Sequence, residues 1–417
     1  MTTTQTPEVT TRGFRFSWTD SFLWAIRVMS IFVIVWGFVG TIALSLDDQG
    51  LTADAWKQLI VSGVAQGSMY GLIALGYSMV YGILGFINFA HGEVFMVGAM
   101  VGFFTADGLD RVGLWESNFI FSILIVLFMA MFASTLSAVL IEKIAYRPLR
   151  AAPRLIPLIT SIGVSFFLQN AILLLVGPAV RSYPRGPEWL RNQYDIFGFQ
   201  VTGTVMAVLV IAAISMVGLW LFVERSVTGR AMRAVAEDKE IASLMGINVD
   251  RVIVTTFAVG GAMAGVAAIL WALLFRGVSS VTGFLPGIKA FTAAVLGGIG
   301  NIVGAMVGGL LLGLFEGIGP NVVLRGLAWQ IPTALGITFV VVGGVGIVAA
   351  RAIGRKGLVV VSAAIIMLGV TGIFGWTIEI PGLSQLKDVV AFTALILVLI
   401  FKPAGLFGEQ LGEEDRA

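Results

Sequence analysis

An all-α polytopic membrane protein is what this amino-acid sequence predicts, and three features carry the prediction. Of 417 residues, 58% are hydrophobic and only 12% are charged, about half the charged share of a soluble domain. The mean hydropathy is +0.96, and the apolar residues fall in runs near the roughly 20 residues that a membrane-spanning helix needs. Glycine, at 52 residues, is far above its usual share of about 7%, which suits close helix–helix contacts and broken helices. A soluble chain of this size needs more charge to cover its surface. An ordinary cytoplasmic enzyme, a disordered protein and a nucleic-acid binder are therefore excluded. With no cysteine and a single histidine, His91, the chain lacks the means for a disulfide framework, a Cys nucleophile or a His-based metal cluster, and no bound cofactor is expected.

About 10–11 hydrophobic segments follow one another. The first, 23–46, is read as an uncleaved helix. Ala43-Leu44-Ser45 before Leu46 also suits a signal-peptide cleavage site, but the run exceeds the usual 7–15 residues. Segments 57–80 and 88–106 are joined by a glycine-punctuated stretch. Segments 117–140 and 157–177 flank a basic loop, and 202–223 and 252–275 flank the longest one, 224–251. The stretch 286–318 is too long for one simple crossing and is interrupted by Gly297-Gly298-Ile299-Gly300-Asn301. Segments 330–350 and 357–377 are joined by a third basic loop, and 386–401 is the last.

Charge placement sets the expected orientation. Lys143, Arg147, Arg150 and Arg154 mark one loop, and Arg225, Arg230, Arg233, Lys239 and Arg251 mark another. Two spans separate them, so both lie on the cytoplasmic side. Counting back puts the N-terminus inside with Arg12, Arg15 and Arg27, and puts Asp47, Asp48 and the loop 107–116 outside. Counting forward, a broken or re-entrant helical hairpin over 286–318 keeps Arg351, Arg355, Lys356 and Lys402 inside, whereas one tilted helix puts them outside. The positive-inside bias favours the hairpin, and both termini are then cytoplasmic. Irregular backbone at membrane depth must be buried in protein or line a cavity.

Three glycine series have a four-residue spacing: Gly63, Gly67, Gly71; Gly300, Gly304, Gly308; and Gly309, Gly313, Gly317. Each lays small residues on one helix face, where another backbone can approach. Four polar side chains stand out in apolar surroundings. Asn88, His91 and Glu93 open the third segment and are expensive at membrane depth unless paired or wet. They either sit on a substrate path or gate, or form a satisfied polar knot that braces the helix break. Lys289 either pairs with Glu93 or another acid, or snorkels to the outer interface, which is the safer expectation. Gly297, Gly298 and Gly300 join these as candidate pathway or gate positions.

The stretch 228–247 is soluble in character and reads as a short surface helix, rich in Ala, Glu, Lys and Arg and free of Pro. Gly246 followed by Ile247 is a left-handed helix stop, with Ile247 able to pack back. Charge combined with Val235, Leu244 and Met245 suits docking on a cytoplasmic partner. An amphipathic helix lying on the membrane surface is the other reading. No Gly-Lys dipeptide occurs, so there is no Walker A loop, and the chain is not expected to hydrolyse ATP. No catalytic triad or paired-carboxylate site is legible either.

Within that stretch, Glu240-x-Ala242-x-x-x-Gly246 matches the E-A-A-x-x-x-G pattern of ABC importer permeases, with Ile241 at the middle position. Longer blocks resemble one family, the LivH-type permease subunits of branched-chain amino-acid ABC importers. They are 67–93, ending in Ile87-Asn88-Phe89-Ala90-His91-Gly92-Glu93; 141–170, resuming at 229–251; 287–300, beginning Gly287-Ile288-Lys289-Ala290-Phe291; and 387–408. The resemblance implies a permease core over 51–318 and 387–408, with 224–251 as its cytoplasmic coupling loop. Residues 1–50 would add a tail and a helix, and 319–386 would insert two further spans. It implies a bacterial inner-membrane location and assembly with a second permease subunit, two ATPase subunits that bind ATP and Mg, and an extracytoplasmic substrate-binding protein, all within membrane lipid. Gly229, Arg230, Arg233, Glu237, Asp238, Glu240, Ala242 and Gly246 would form the ATPase-coupling helix. The substrate would be a branched-chain or other apolar amino acid. A urea or short-chain amide permease and a stand-alone secondary transporter or channel are the rival readings.

Overall fold

The structure is a computed structural model that describes residues 18–46, 50–150, 152–153, 155–353, 356–376 and 386–408. Arg12, Arg15, Asp47, Asp48, Arg154 and Arg355, which enter the orientation argument, lie outside the described residues, as do the side chains of Arg27 and Lys356. Nine helices among the described residues are long and apolar enough to cross a membrane, and Phe284–Gly297 and Leu358–Phe374 are shorter apolar helices. The all-α expectation holds.

In chain order the helices are α1 (Trp18–Leu46), α2 (Ala53–Leu84), α3 (His91–Arg111), α4 (Leu114–Ser117), α5 (Phe119–Ile141), α6 (Leu155–Val176), α7 (Glu188–Arg191) and α8 (Gly203–Arg225). Then come α9 (Val227–Glu237), α10 (Lys239–Leu244), α11 (Val249–Phe275), α12 (Phe284–Gly297), α13 (Ile302–Gly319), α14 (Thr333–Ile353), α15 (Lys356–Phe374) and α16 (Lys387–Phe401). Strand β1 (Arg181–Ser182) comes first. The hairpin of β2 (Gln193–Ile196) and β3 (Phe199–Thr202) follows, and β4 (Gly277–Val278) pairs antiparallel with β1.

The chain divides into two compact units, one from Met1–Leu51 and Pro320–Gln385, the other from Thr52–Gly319 and Leu386–Ala417. In the larger unit α2 is buried on every side over most of its length, as expected of a helix with no polar face. Thr52 caps its start by accepting from Ala55 N at 3.3 Å, and Gly85 ends it at φ +74°, a conformation that favours glycine. The stretch 85–90 is therefore a turn, and the helix expected from 88 begins instead at His91.

The glycine series explain how the backbones meet. Gly63, Gly67 and Gly71 of α2 face Gly309, Gly313 and Gly317 of α13. A Cβ on Gly313 would lie 2.3 Å from both Gly63 O and Gly67 Cα. Of the other series, Gly304 and Gly308 turn toward α12, where a Cβ on Gly308 would lie 2.1 Å from Ala293 O, whereas Gly300 lies in the break before α13, where a Cβ would meet nothing within 4 Å. Two stripes on α13 thus hold α2 on one side and α12 on the other.

The smaller unit packs α1 against the segment 320–331 and α15 through a separate core of Phe32, Trp36, Leu327, Ile331, Ala364 and Leu368. Thr41 Oγ1 donates to Val322 O at 2.9 Å. A Cβ on Gly40 would meet Gly326 O at 2.0 Å. Helices α14 and α15 approach through Gly336 and Gly369, where a Cβ on Gly369 would lie 2.5 Å from Gly336 O.

Candidate functional site

The turn between α2 and α3 places the polar trio. All three side chains are buried, but each meets its own surroundings. Asn88 Oδ1 accepts from Ala90 N at 3.1 Å and from the Tyr146 hydroxyl at 2.6 Å. Tyr146 reaches it because α5 runs into a π-turn over Glu142–Tyr146, a local widening of the kind that re-aims side chains. Phe89 N donates to Ser161 Oγ at 3.3 Å, which ties the turn to α6. His91 lies with its ring edge-on to Tyr77 at 5.0 Å. A Cβ at Gly76 would come within 2.1 Å of its Nε2, so α2 has room for the imidazole only because residue 76 is glycine. His91 Nε2 has no hydrogen-bond partner among the described residues.

Glu93 is different. It is 1% exposed, and its Oε1 accepts from Gln169 Nε2 at 2.7 Å and Ser165 Oγ at 3.3 Å, both from α6. Its Oε2 is buried with no partner among the described residues. The carboxyl forms part of the wall of a cavity of about 210 Å³ bounded by α2, α3, α6 and the start of α12. A larger cavity of about 270 Å³ lies among the loops and helix ends around Trp115, Tyr183, Arg185 and Arg276. It holds none of the residues singled out from the sequence.

Lys289 does not snorkel. It is 3% exposed and pairs with Glu316 Oε1 at 2.9 Å and Asp388 Oδ1 at 2.6 Å. Lys387 adds a second ammonium 3.2 Å from Glu316. The expectation of snorkelling fails because α13 and α16 bring two carboxylates to α12, and a buried charge is tolerable once paired. Glu93 is not among its ion-pair partners.

The glycine break lies where the sequence places it. Helix α12 ends at Gly297, and Gly298 and Gly300 take φ of +106° and +96°. A Cβ on Gly297 would lie 1.8 Å from Gly304 O, so α13 folds back on α12 only with glycine there. The exposed carbonyls at the end of α12 are met by the chain beyond α16. Leu406 N donates to Leu296 O and Phe407 N to Gly297 O, both at 2.9 Å. These bonds satisfy acceptors that a helix terminus leaves open. Ser78 of α2 holds the break from the other side, accepting from Gly300 N at 2.9 Å.

The segment 229–246 is two helices, not one. Asp238 leaves the helical conformation at φ −152° and caps α10, accepting from Glu240 N and Ile241 N at 2.8 and 2.9 Å. An Asp in mid-segment competes for backbone donors in this way, which is why α9 stops at Glu237. Ser226 caps α9 through Gly229 N at 2.8 Å. Gly229 is buried, and a Cβ there would lie 2.1 Å from Val223 O. Arg233 donates to Val223 O at 2.6 Å and Glu224 at 2.8 Å, and Arg230 donates to Arg225 O at 3.2 Å. Both arginines thus cap the carbonyl end of α8.

Val235 and Ala242 are buried, whereas Ile241, Leu244 and Met245 are 60%, 86% and 78% exposed. Glu237 and Glu240 are exposed as well. The helix ends as expected, with Gly246 at φ +85°. Ile247 N donates to Ala242 O at 3.1 Å and Gly246 N to Ser243 O at 3.0 Å, the paired bonds of a Schellman stop. A small cavity of about 70 Å³ lined by Met232, Arg233 and Ala236 of α9 also touches Ser78, Gly82 and Gly300. The segment 229–246 therefore abuts the glycine break.

Sequence reading missed the partners. Glu316 is an isolated acid in a Gly/Leu-rich run, and Gln169 and Asn170 are a pair of amides isolated in an apolar one. That isolation is a usable signal at membrane depth. Nothing local marks Tyr146, Ser165 or Asp388.

Residues 59–333 match the family model described as branched-chain amino acid transport system / permease component. The chain is 38% identical over 360 residues to the high-affinity branched-chain amino acid transport system permease protein BraD of Pseudomonas aeruginosa, covering 85% of this chain and 96% of the relative. It is 44% identical over 269 residues to the permease protein LivH of Salmonella typhimurium, covering 63% and 85%. To LivH of Escherichia coli K12 it is 43% identical over the same length. No solved structure matches significantly.

Proposed function

The chain belongs to the family of branched-chain amino acid transport system permease components, and from that membership we propose that it forms half of an ATP-driven, alternating-access import pathway for branched-chain amino acids. The relatives' names favour this substrate class over urea or short-chain amides, and favour an ABC permease over a stand-alone transporter. Its partners are a second permease subunit, two ATPase subunits that carry ATP and Mg, and an extracytoplasmic binding protein. ATP hydrolysis belongs to the ATPases. The protein sits in the bacterial inner membrane with both termini cytoplasmic. The permease core is 51–318 with 387–408, and residues 1–50 and 319–386 are additions to it.

Coupling is assigned to α9 and α10, and the observation that carries it is the outward-facing apolar patch of Ile241, Leu244 and Met245 beside Glu240. Large exposed apolar side chains on a charged segment suit a protein partner. The inner face of α9, with Gly229, Met232 and Val235 buried, ties the patch to the membrane helices. Motion of an ATPase cleft is passed to α8 and α11, and to Gly300 through the small shared cavity. The pathway then switches between sides by rigid-body rocking of its helices.

The test is a gentle pull-down of the tagged chain from native membranes, with leucine uptake measured in parallel. Wild type should bring down two ATPases and a second permease. Glu240→Lys, or Gly246→Val at a left-handed position, should lose the ATPases and lower uptake at least tenfold at unchanged membrane abundance. Wild-type association and uptake in both variants would remove the coupling assignment.

A further inference from the structure

We propose that the Glu93 cavity is a selectivity site that takes the ammonium group of the transported amino acid, with the Glu93 carboxyl as the acceptor; this rests on the import reading above. The carboxyl is held in one orientation because Gln169 and Ser165 both donate to Oε1. Oε2 is left buried and without a partner among the described residues. Among the described residues no lysine or arginine lines the cavity, so these walls supply no ion to balance a carboxylate. A buried charge without a partner is costly, and a cation arriving in the cavity offsets that cost.

The rest of the wall says which cation. Phe89, Ile162, Phe166, Phe284 and Ile288 present apolar surface, which suits an aliphatic side chain and, for the rings, a cation over their faces. A divalent metal would need several more oxygen ligands than Glu93, Ser165 and Tyr77 can offer. An ammonium has only three protons to place. A volume of about 210 Å³ is roughly seven times the ~30 Å³ share of a liquid water, the scale of a small molecule. Glycine lets the start of α12 close on α3 beside the carboxyl. A Cβ on Gly283 would meet Gly92 O first and would come within 2.7 Å of Glu93 Oε2, and one on Gly287 would lie 2.9 Å from Gly92 Cα.

The consequence is discrimination by charge. A neutral amide or urea offers the carboxylate only neutral donors, whereas an ammonium gives a charge-assisted bond about twice as strong. The full-length chain is purified with the subunits that accompany it, and its thermal unfolding midpoint is followed against two probes of similar shape. These are 3-methylbutylamine, which carries an ammonium and no carboxylate, and neutral 4-methylpentanamide. The amine should raise the midpoint by about 2 °C near tenfold saturation, the amide should not, and Glu93→Gln should abolish the difference. Equal shifts by both probes, or none by the amine, overturn the proposal.

Leucine uptake in cells gives the second readout. Glu93→Gln should lower the maximal rate at least tenfold at equal membrane abundance, with Glu93→Asp retaining more. Wild-type uptake in Glu93→Gln overturns the ammonium site and leaves the import reading standing. Absence of branched-chain uptake by the wild-type importer overturns the import reading, while the amine-against-amide comparison still reports on the cavity. Should Glu93→Gln fail to fold, the wild-type comparison of the two probes decides alone.

Discussion

Glu93 and Glu316 are both buried glutamates in the larger unit, and among the described residues both leave Oε2 without a hydrogen bond. Their surroundings are otherwise opposite. Glu316 has two ammonium groups within 3.2 Å, from Lys289 and Lys387, and Asp388 completes a set of two positive and two negative charges. Among the described residues Glu93 meets only the neutral donors of Gln169 and Ser165, and it forms part of the wall of an open cavity. An orphaned oxygen is therefore not the discriminating feature. Charge balance and free volume are: the neutralised cluster binds α12, α13 and α16 together, and the unbalanced carboxylate beside space is available to a ligand.

The largest effect should come from unbalancing Glu316. Lys289→Met leaves two acids against one lysine and should cost about 3–5 kcal/mol, seen as a lower unfolding midpoint in detergent. Combining it with Glu316→Leu leaves Lys387 beside Asp388 and should recover most of the loss. A double variant no more stable than the single one would show that packing, not charge, holds the cluster.

A middle-sized effect is expected at the other site. Gln169→Leu removes the 2.7 Å donor to Glu93 and should cost about 1–3 kcal/mol, the usual penalty for a buried group that loses its partner. A neutral outcome would mean that water already serves Glu93. The smallest effect should be Glu93→Gln on stability, within about 1 kcal/mol, because the amide keeps the shape and an acceptor for both α6 donors while removing a buried charge. The same substitution at 316 should destabilise far more. Equal losses at 93 and 316 would erase the contrast.

Legibility in the sequence followed range. The glycine break near 298, the left-handed stop at Gly246 and the four-residue glycine spacings were all readable, because each depends on neighbours within a turn or two of chain. The split at Asp238 was equally local and was missed only because the favourable composition on both sides masked its capping role. Lys289 was misjudged for the opposite reason. Its partners lie 27 and 99 residues further along the chain, and no periodicity connects them. Asn88, His91 and Glu93 were recognisable as expensive side chains in an apolar run. Which of them met a tyrosine, which a glycine-lined slot and which a cavity was not.

Hydropathy, glycine spacing and helix-stop residues are properties of the chain itself, and they settled that this is a many-helix membrane protein with breaks near 85 and 298. They do so because backbone conformation and membrane solvation act residue by residue. Only the packed fold decided which buried charge is balanced and which faces open space. Balance requires groups distant in sequence to come within about 4 Å in a medium where charge is costly, and that proximity exists only once α3, α6, α12, α13 and α16 have come together.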